Sequence, residues 1–132
     1  MSHAEQLAYY QQKLAFEMDP ADLWLALKAD EKIVVVDGRS QAAWQQEHIP
    51  GAISLPHRAL CMDTTHHLDP TLLYVCYCDG IGCNASTQTA LKLLTLGFRV
   101  KELIGGLDWW KRDGYATEGH QGRDGTPVSC GC

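Results

Sequence analysis

The sequence lacks any dense cluster of lysine and arginine. Asp and Glu number 16 against 11 Lys and Arg, which gives a net charge of -5. Nucleic-acid backbones and anionic membrane surfaces both attract concentrated positive charge, so this balance argues against either as the main partner. We expect no nucleic-acid partner and no membrane partner, and instead a small solute or another protein.

Long apolar runs are also missing. The densest run, Ile33–Asp37, is far shorter than the ~20 residues that a helix needs to span a bilayer. The N-terminal stretch MSHAEQLAYYQQKLAFEMDP has no basic segment followed by an apolar core, so it does not read as a secretory signal. We therefore expect a cytoplasmic protein.

The six cysteines lack the spacing of a structural metal site. No Cys-x2-Cys pair and no matching histidine pair is present, whereas a zinc site needs four ligands at regular spacings. The adjacent pair His66 and His67 reads as a surface pair. Cytosolic thiols stay reduced, so a disulfide framework is not expected either. We predict no metal and no cofactor.

The composition of the chain is that of one compact domain. The chain has 132 residues, of which 45% are hydrophobic and 20% charged. Patterns typical of helices alternate with short β-branched runs typical of buried strands. We predict helices at 4–14, within 18–32, and at 41–46, 86–96 and 107–113, and strands at 33–37, 52–55, 72–78 and 100–103. This alternation predicts an α/β domain with a mainly parallel sheet.

The stretch YVCYCDGIGCNAS holds three of the cysteines and could be a metal clip, a redox pair or one reactive cysteine with neighbours. Cys78 ends a predicted strand, where ligands bind in parallel α/β sheets. The loop after it and the following helix, with Asn84 or Ser86 as its cap, can offer backbone N–H groups to an anion. The same features favour thiolate over thiol, which a nucleophile requires. The alternative is that Cys78 is a buried structural cysteine without a chemical role.

Several motifs resemble the rhodanese-like family. They are VVVDGRSQAAWQQEHIPGAISLPH in the first half, LLYVCYC before a glycine-bearing loop, and ALKLLTLGFRVKELIGGLDWW after it. The resemblance runs from about Asp19 to Tyr115, and the loop is similar to a subset with Cys-x-Gly-x-Gly-Cys-Asn. We divide the chain into an N-terminal helical extension (1–15), a rhodanese-like domain (16–116) and a flexible tail with Cys-Gly-Cys (117–132).

This resemblance implies a five-stranded, mainly parallel sheet flanked by helices on both faces. It also implies a sulfurtransferase in which Cys78 takes sulfane sulfur from thiosulfate or a persulfide and passes it, as a cysteine persulfide, to a thiol or cyanide. Loop N–H donors would stabilise the anionic persulfide. The residues that would supply these backbone groups are Asp79, Gly80, Ile81, Gly82, Cys83 and Asn84.

The loop departs from the common family pattern Cys-x-x-Gly-x-Arg-Ser, because Cys83 stands at the fifth position after Cys78 and no arginine lies between Cys78 and Arg99. Arginine recognises oxyanions with a bidentate fork, so its absence weakens the case for thiosulfate as the natural donor. Cys83 is either a resolving thiol for Cys78 or a small apolar residue at the helix start. Cys76 is expected to be buried.

Three residues outside the loop are candidates for supporting roles. Arg39 could hold the site, but we favour a structural ion pair with Asp37 at the end of the first buried strand. Arg58 is the candidate cation over the pocket. His48 is expected to shape a turn and not to catalyse.

Two further features leave their roles open. Of Trp109 and Trp110, one is expected in the core and the other at the pocket or on the surface. Cys130 and Cys132 could accept sulfur, bind a soft metal, or simply belong to a tail.

Two functions of different classes follow from these observations. The first is a catalytic sulfurtransferase. The second is a binding or thiol redox-sensing module that uses Cys78 and Cys83.

Overall fold

The structure, a computed structural model, describes residues 2–127 of the chain. Within that range the strands are β1 (Glu17–Met18), β2 (Ile33–Asp37), β3 (Ile53–Ser54), β4 (Leu73–Tyr77) and β5 (Arg99–Leu103). The α-helices are α1 (His3–Phe16), α2 (Pro20–Lys28), α3 (Gln41–Gln46), α4 (Met62–Thr65), α5 (Ala85–Thr95) and α6 (Gly106–Arg112). A short 3₁₀ turn, His57–Ala59, follows β3.

The five strands form one sheet in the order β1-β5-β4-β2-β3, and every pairing is parallel. The predicted α/β class with a five-stranded sheet is therefore confirmed. β4 lies in the centre, with Val35 of β2 opposite Val75 and with Lys101 of β5 on the other side of Val75. The carboxyl end of β4, where Cys78 follows, is thus surrounded by the ends of neighbouring strands.

Local signals explain where most elements begin. α2 starts at the predicted Asp19 cap, whose side chain accepts from the Asp22 N–H at 2.8 Å while Pro20 takes the first helical position. The strand β1 was not predicted, because two residues between two helices carry no readable alternation. Its pairing with Glu102 and Leu103 of β5 comes from tertiary contact.

Two apolar cores cover the two faces of the sheet. One contains Val35, Val75, Tyr77, Leu107 and Trp110, and it joins β2 and β4 to α6. The other contains Val36, Tyr74, Cys76, Leu93 and Phe98, and it joins the same strands to α5. Alternate residues of β4 therefore point into opposite cores, and Cys76 is fully buried as expected.

The predicted flexible tail needs correction over its first part. Glu118 and His48 exchange two backbone hydrogen bonds of 2.9 Å, and the Gln121 N–H donates to the Gln46 carbonyl at 2.7 Å. Gly119, at φ +110°, lies so close to the carbonyls of residues 45 and 46 that a side chain there would collide with them. The glycine and polar residues of this segment suggested mobility, but they instead allow it to pack against α3 and the residues that follow α3. Cys130 and Cys132 lie outside the described residues.

The N-terminal helix α1 buries none of its side chains. Its start is capped by Ser2, which accepts from the Glu5 N–H at 3.1 Å. Among residues 2–127, no helix combines the length and the apolar character needed to cross a membrane.

Candidate functional site

Cys78 lies directly after β4 and is 1% exposed. Its carbonyl accepts a hydrogen bond from the Leu107 N–H at 2.9 Å, and the Asp79 carbonyl accepts from the Asp108 N–H at 2.8 Å. The first turn of α6 therefore holds the start of the loop against the edge of the sheet. The backbone of Cys78 is fixed from two sides, by its strand and by this helix.

Glycine at position 106 makes this close approach possible. Gly106 has φ +59°, and a Cβ there would collide with the Cys78 carbonyl oxygen and lie 2.9 Å from the Gly80 nitrogen. Only glycine fits both the left-handed backbone and the contact. The Gly-Gly turn that the sequence places before Trp109 thus serves to bring α6 onto the loop.

Cys78 and Cys83 are joined by a disulfide, with their Cα atoms 6.2 Å apart. Cys83 is half-buried, whereas Ile81 between the two is 80% exposed. A disulfide framework is not expected where cytosolic thiols stay reduced, and this single pairing departs from that expectation. The interpretation of Cys83 as a resolving thiol included one, and the structure brings the two sulfurs together as that interpretation requires.

The loop supplies most of the predicted N–H donors. Within residues 2–127, the N–H groups of five loop residues have no hydrogen-bond acceptor: Asp79, Gly80, Ile81, Gly82 and Asn84. The exception is Cys83, whose N–H donates to the Gly80 carbonyl at 3.2 Å and so is removed from the predicted set. The i to i+3 bond closes a turn, which is why this donor is satisfied inside the loop.

The start of α5 differs from the predicted capping. Asn84 takes the cap position without a side-chain capping bond, and its amide oxygen accepts instead from Gln88 Nε2 at 2.9 Å. Ser86 lies inside the helix. Its hydroxyl donates to Glu102 Oε2 at 3.2 Å, as the Thr87 hydroxyl does at 2.9 Å. A carboxylate from β5 therefore lies at the first turn of α5, a contribution that the sequence did not reveal.

Arg39 forms the charged centre beneath the loop. Its Nη2 lies 2.7 Å from Asp37 Oδ2, its Nε 3.0 Å from Asp37 Oδ1, and its Nη1 2.9 Å from Asp79 Oδ1. The same Nη2 donates to the Glu47 carbonyl at 2.6 Å. The predicted ion pair with Asp37 is present, and the contact with Asp79 also links it to the cysteine loop. One side chain therefore fastens β2, α3 and the loop together.

Electrostatics keep the Arg39 guanidinium charged although its side chain is only 10% exposed. Burial alone would lower the pKa of Arg39, but its hydrogen bonds with Asp37 and the charge of that carboxylate, together with Asp79, raise the pKa of Arg39 above its ordinary value. Asp37 is fully buried and accepts a further hydrogen bond from the Tyr77 hydroxyl at 2.8 Å. Every contact to Asp37 thus comes from a donor, as a buried carboxylate requires.

Tyr77 is the supporting residue that sequence reasoning missed. Its hydroxyl donates to Asp37 and accepts from the Ile49 N–H at 3.1 Å. Burial, and then the charge of Asp37, raise the pKa of Tyr77 above its ordinary value, so it stays a neutral donor. The sequence carries a signal for this role, because Tyr77 directly precedes Cys78. Alternation along β4 places its side chain on the other face of the sheet from Cys78, near the carboxyl ends of the same strands.

Arg58, the predicted cation over the pocket, is exposed on the 3₁₀ turn after β3, which packs against α5. No hydrogen bond or ion pair joins it to the loop within residues 2–127, whereas Arg39 contacts the loop through Asp79. Beside that contact lies an open cleft of about 300 Å³ with charged side chains of both signs, among them Arg39, Asp79, Asp108 and Lys111. Lys111, which was not predicted, pairs with Glu47 at 2.8 Å.

The two tryptophans of α6 divide as predicted. Trp110 is 2% exposed in the core, and its indole N–H donates to the Ala116 carbonyl at 2.8 Å. Trp109 is partly exposed and, with Ile81 from the loop tip and Ile104, lines an open cleft of about 470 Å³. The exposed side of the loop therefore has an apolar neighbour.

The remaining described cysteines lie in different environments. Burial, and then the charge of Glu102, raise the pKa of Cys76 above its ordinary value. Cys61 is exposed, and hydrogen bonds from Thr64 lower its pKa. Within residues 2–127, no three or more His, Cys, Asp or Glu side chains form a group that could hold a metal ion. His48 stacks on Trp44, and its Nδ1 lies 2.6 Å from the Trp44 carbonyl oxygen.

Solved structures share this fold over most of the chain. The BH2092 protein from Bacillus halodurans is 42% identical and has a TM-score of 0.87, with 92% of this chain and 89% of that chain covered. The Alr3790 protein from Anabaena is 30% identical, with a TM-score of 0.70 and coverage of 77% and 80%. A thiosulfate sulfurtransferase from Pseudomonas aeruginosa is 24% identical with a TM-score of 0.64, covers 86% of this chain and 22% of its own, and supports the fold alone.

No curated protein is a significant match to this sequence. The family model of the rhodanese-like domain matches residues 19–113, which is most of the chain. The motif order, the five-stranded sheet and the cysteine after its central strand agree with that match. The chain therefore belongs to the rhodanese-like family.

Proposed function

We propose that this protein is a sulfurtransferase that moves sulfane sulfur from a donor to an acceptor through a persulfide on Cys78. The observation that carries the proposal is the position of Cys78 at the carboxyl end of the central strand, followed by five loop N–H groups that have no acceptor within residues 2–127. Donors in such a loop stabilise negative charge without a fixed cation. Membership of the rhodanese-like family supports the same chemistry.

The reaction begins from the reduced site. The Cys78 thiolate attacks the outer sulfur of thiosulfate or of a persulfide, the sulfur–sulfur bond of the donor breaks, and sulfite or a thiolate leaves. The resulting Cys78 persulfide then gives its outer sulfur to a thiol or to cyanide, which regenerates the thiolate. Loop N–H groups hold the anionic persulfide, while Arg39 and Asp37 position the loop through Asp79.

The partners we propose are a small sulfur-donor anion or persulfide and a thiol acceptor, in the cytoplasm. The net charge of -5 supports a partner other than nucleic acid or an anionic membrane. The loop has no arginine, and Arg39 is already occupied by two carboxylates and a carbonyl. A persulfide donor, which needs no oxyanion fork, therefore fits the site better than thiosulfate.

The test is to reduce the Cys83→Ser variant, in which no Cys78–Cys83 disulfide can form, remove the reductant, and incubate it with thiosulfate or with glutathione persulfide. We expect peptide mass spectrometry to find one additional sulfur on Cys78 before any acceptor is added. In this background a further Cys78→Ser should lose the adduct, and a further Cys61→Ser, a change at an exposed cysteine outside the loop, should keep it. Absence of the adduct with both donors, on a reduced and accessible Cys78, would refute the sulfurtransferase.

A thiol redox-sensing module is a second candidate, and the Cys78–Cys83 disulfide favours it. In that function an oxidant converts the Cys78 thiolate to a sulfenic acid, and the Cys83 thiol displaces water to form the disulfide. Mild peroxide should then form the disulfide faster in the wild type than any sulfur donor loads Cys78. Rapid loading with slow peroxide oxidation would favour the sulfurtransferase instead.

A further inference from the structure

The disulfide shows that the sulfur of Cys83 reaches the sulfur of Cys78 within the folded chain. In this disulfide-bonded form Cys78 is 1% exposed, and the Cys83 sulfur occupies the bonding position at the Cys78 sulfur. Cys83 lies on the same loop and needs no access from outside. The thiol best positioned to attack that atom is therefore part of the protein.

The two ends of the loop are held differently. The carbonyls of Cys78 and Asp79 are bonded to α6, and the Asp79 carboxylate is bonded to Arg39. Within residues 2–127 the second half has two backbone bonds, one inside the loop from the Cys83 N–H to the Gly80 carbonyl at 3.2 Å and one from the Gln88 N–H of α5 to the Asn84 carbonyl at 3.0 Å. A Cβ added at Gly82 would meet no atom within 4 Å, so there is open space beside this half. Cys83 therefore lies beside open space, next to a Cys78 whose backbone is held by β4 and α6.

We propose that Cys83 discharges the Cys78 persulfide by attacking its inner sulfur, which gives the protein a dithiol-dependent, sulfide-releasing activity. This inference rests on the proposed persulfide on Cys78. The Cys83 thiolate forms a bond to Cys78 Sγ, and the bond between Cys78 Sγ and the outer sulfur breaks. The electron pair leaves with the outer sulfur, which takes a proton from water and departs as hydrosulfide.

The electrons balance within the protein. The sulfane sulfur gains two electrons and becomes sulfide, while the two cysteine thiols lose two and become the disulfide seen in the structure. The next cycle requires an external dithiol, which reduces the disulfide and is itself oxidised. A small dithiol such as dithiothreitol or a protein with a redox-active cysteine pair supplies this chemistry.

Two features favour the inner sulfur over the outer one as the point of attack. In the disulfide, Cys83 already bonds the Cys78 Sγ atom itself, so this geometry is accessible to the fold. Hydrosulfide is also a better leaving group than a cysteine thiolate, because it derives from the more acidic thiol. Attack on the outer sulfur would instead move the persulfide to Cys83 and release no sulfide.

The experiment uses the full chain, reduced and freed of reductant, without oxygen and with one equivalent of glutathione persulfide. Sulfide is trapped with monobromobimane while peptide mass spectrometry locates the sulfur. For the wild type we expect one sulfide per chain and a Cys78–Cys83 disulfide. For Cys83→Ser we expect a lasting Cys78 persulfide and sulfide release slowed at least about tenfold, since an intramolecular attack is lost. Cys61→Ser is the matched control and should behave as the wild type does.

The outcomes separate this inference from the proposal beneath it. A wild type that keeps its Cys78 persulfide, or carries the sulfur on Cys83, overturns the sulfide-releasing activity and leaves the sulfurtransferase intact. Equal sulfide release from the wild type and Cys83→Ser overturns it as well. If Cys83→Ser takes up no sulfur on Cys78, the sulfurtransferase proposal itself fails, and this inference fails with it.

Discussion

At the scale of single residues, Arg39 hydrogen-bonds three separate groups near the candidate site. It satisfies a fully buried carboxylate, a backbone carbonyl of α3 and the first side chain of the cysteine loop at once. Its planar fork is needed for this, because a lysine offers one donor centre that cannot span three acceptors. Asp79, by contrast, is 74% exposed.

These environments predict different costs for removing each partner. Arg39→Met leaves Asp37 buried without its cation and should lower the free energy of unfolding by about 3–5 kcal/mol. Asp79→Asn removes only the exposed pair and should cost less than about 1 kcal/mol. Urea unfolding at neutral pH measures both. Arg39→Lys should fall nearer to Arg39→Met than to the wild type, and equal costs for Arg39→Met and Asp79→Asn would contradict the assigned network.

At the scale of elements, the packing of α6 on the loop holds Cys78 in place. That packing depends on a glycine in left-handed conformation against the Cys78 carbonyl. The helix also gives Trp110 to the core and Trp109 to the cleft beside the loop tip. A change at the start of α6 should therefore alter the position of Cys78.

Gly106→Ala tests this coupling. The new Cβ must push α6 away from the Cys78 carbonyl, and the left-handed backbone alone costs about 1–2 kcal/mol for a non-glycine residue. We expect a loss of at least that size in unfolding free energy and slower sulfur loading of Cys78. Gly82→Ala, where the added Cβ meets open space, is the control and should keep both. Normal loading by Gly106→Ala would show that α6 does not position the cysteine.

The elements of the fold differ in how far the sequence predicts them. Ile33–Asp37 was predicted to the residue because a buried parallel strand needs a continuous apolar run, and Asp19-Pro20 marked the start of α2 because the capping chemistry is local. β1 and the strip at 117–121 were missed because their partners are distant in the chain. The prediction of Cys78 as the reactive cysteine came from its position at the end of a strand. The contacts of Tyr77, Glu102 and Lys111 depend on side chains that meet only in the folded state.

At the scale of the whole molecule, Glu47 joins segments that are far apart in sequence. Its carboxylate accepts from Lys111 Nζ at 2.8 Å and from the Thr117 hydroxyl at 2.6 Å, and Arg123 Nε lies 3.6 Å away. Burial opposes ionisation, but Lys111, Thr117 and Arg123 together lower the pKa of Glu47 below its ordinary value. The end of α3, the end of α6 and the segment after it thus share one charged contact.

Glu47→Gln should therefore destabilise the fold in a pH-dependent way. Because the folded pKa lies below the unfolded one, the stabilisation is present above the ordinary carboxyl value of about 4.3 and is lost as the pH falls through the folded pKa. We expect a cost of about 1–3 kcal/mol at pH 7, which should shrink in acid. Chemical unfolding at several pH values measures it. Glu17→Gln, which removes the exposed pair with Lys13, is the control and should change the free energy of unfolding little. A loss of unfolding free energy in Glu47→Gln that does not vary with pH would contradict a stabilising role for the Glu47 charge.

The order of strands has a consequence for how the chain folds. β1, the first strand in sequence, has β5, the last, as its neighbour in the sheet. Its backbone partners are therefore made only when nearly the whole domain has been synthesised, so the first strand must wait for the last before the sheet is complete. Pairings of such long sequence separation carry a large loop-closure cost and slow folding. The edge beside Glu17 and Met18 should consequently be the last part of the sheet to form on the ribosome.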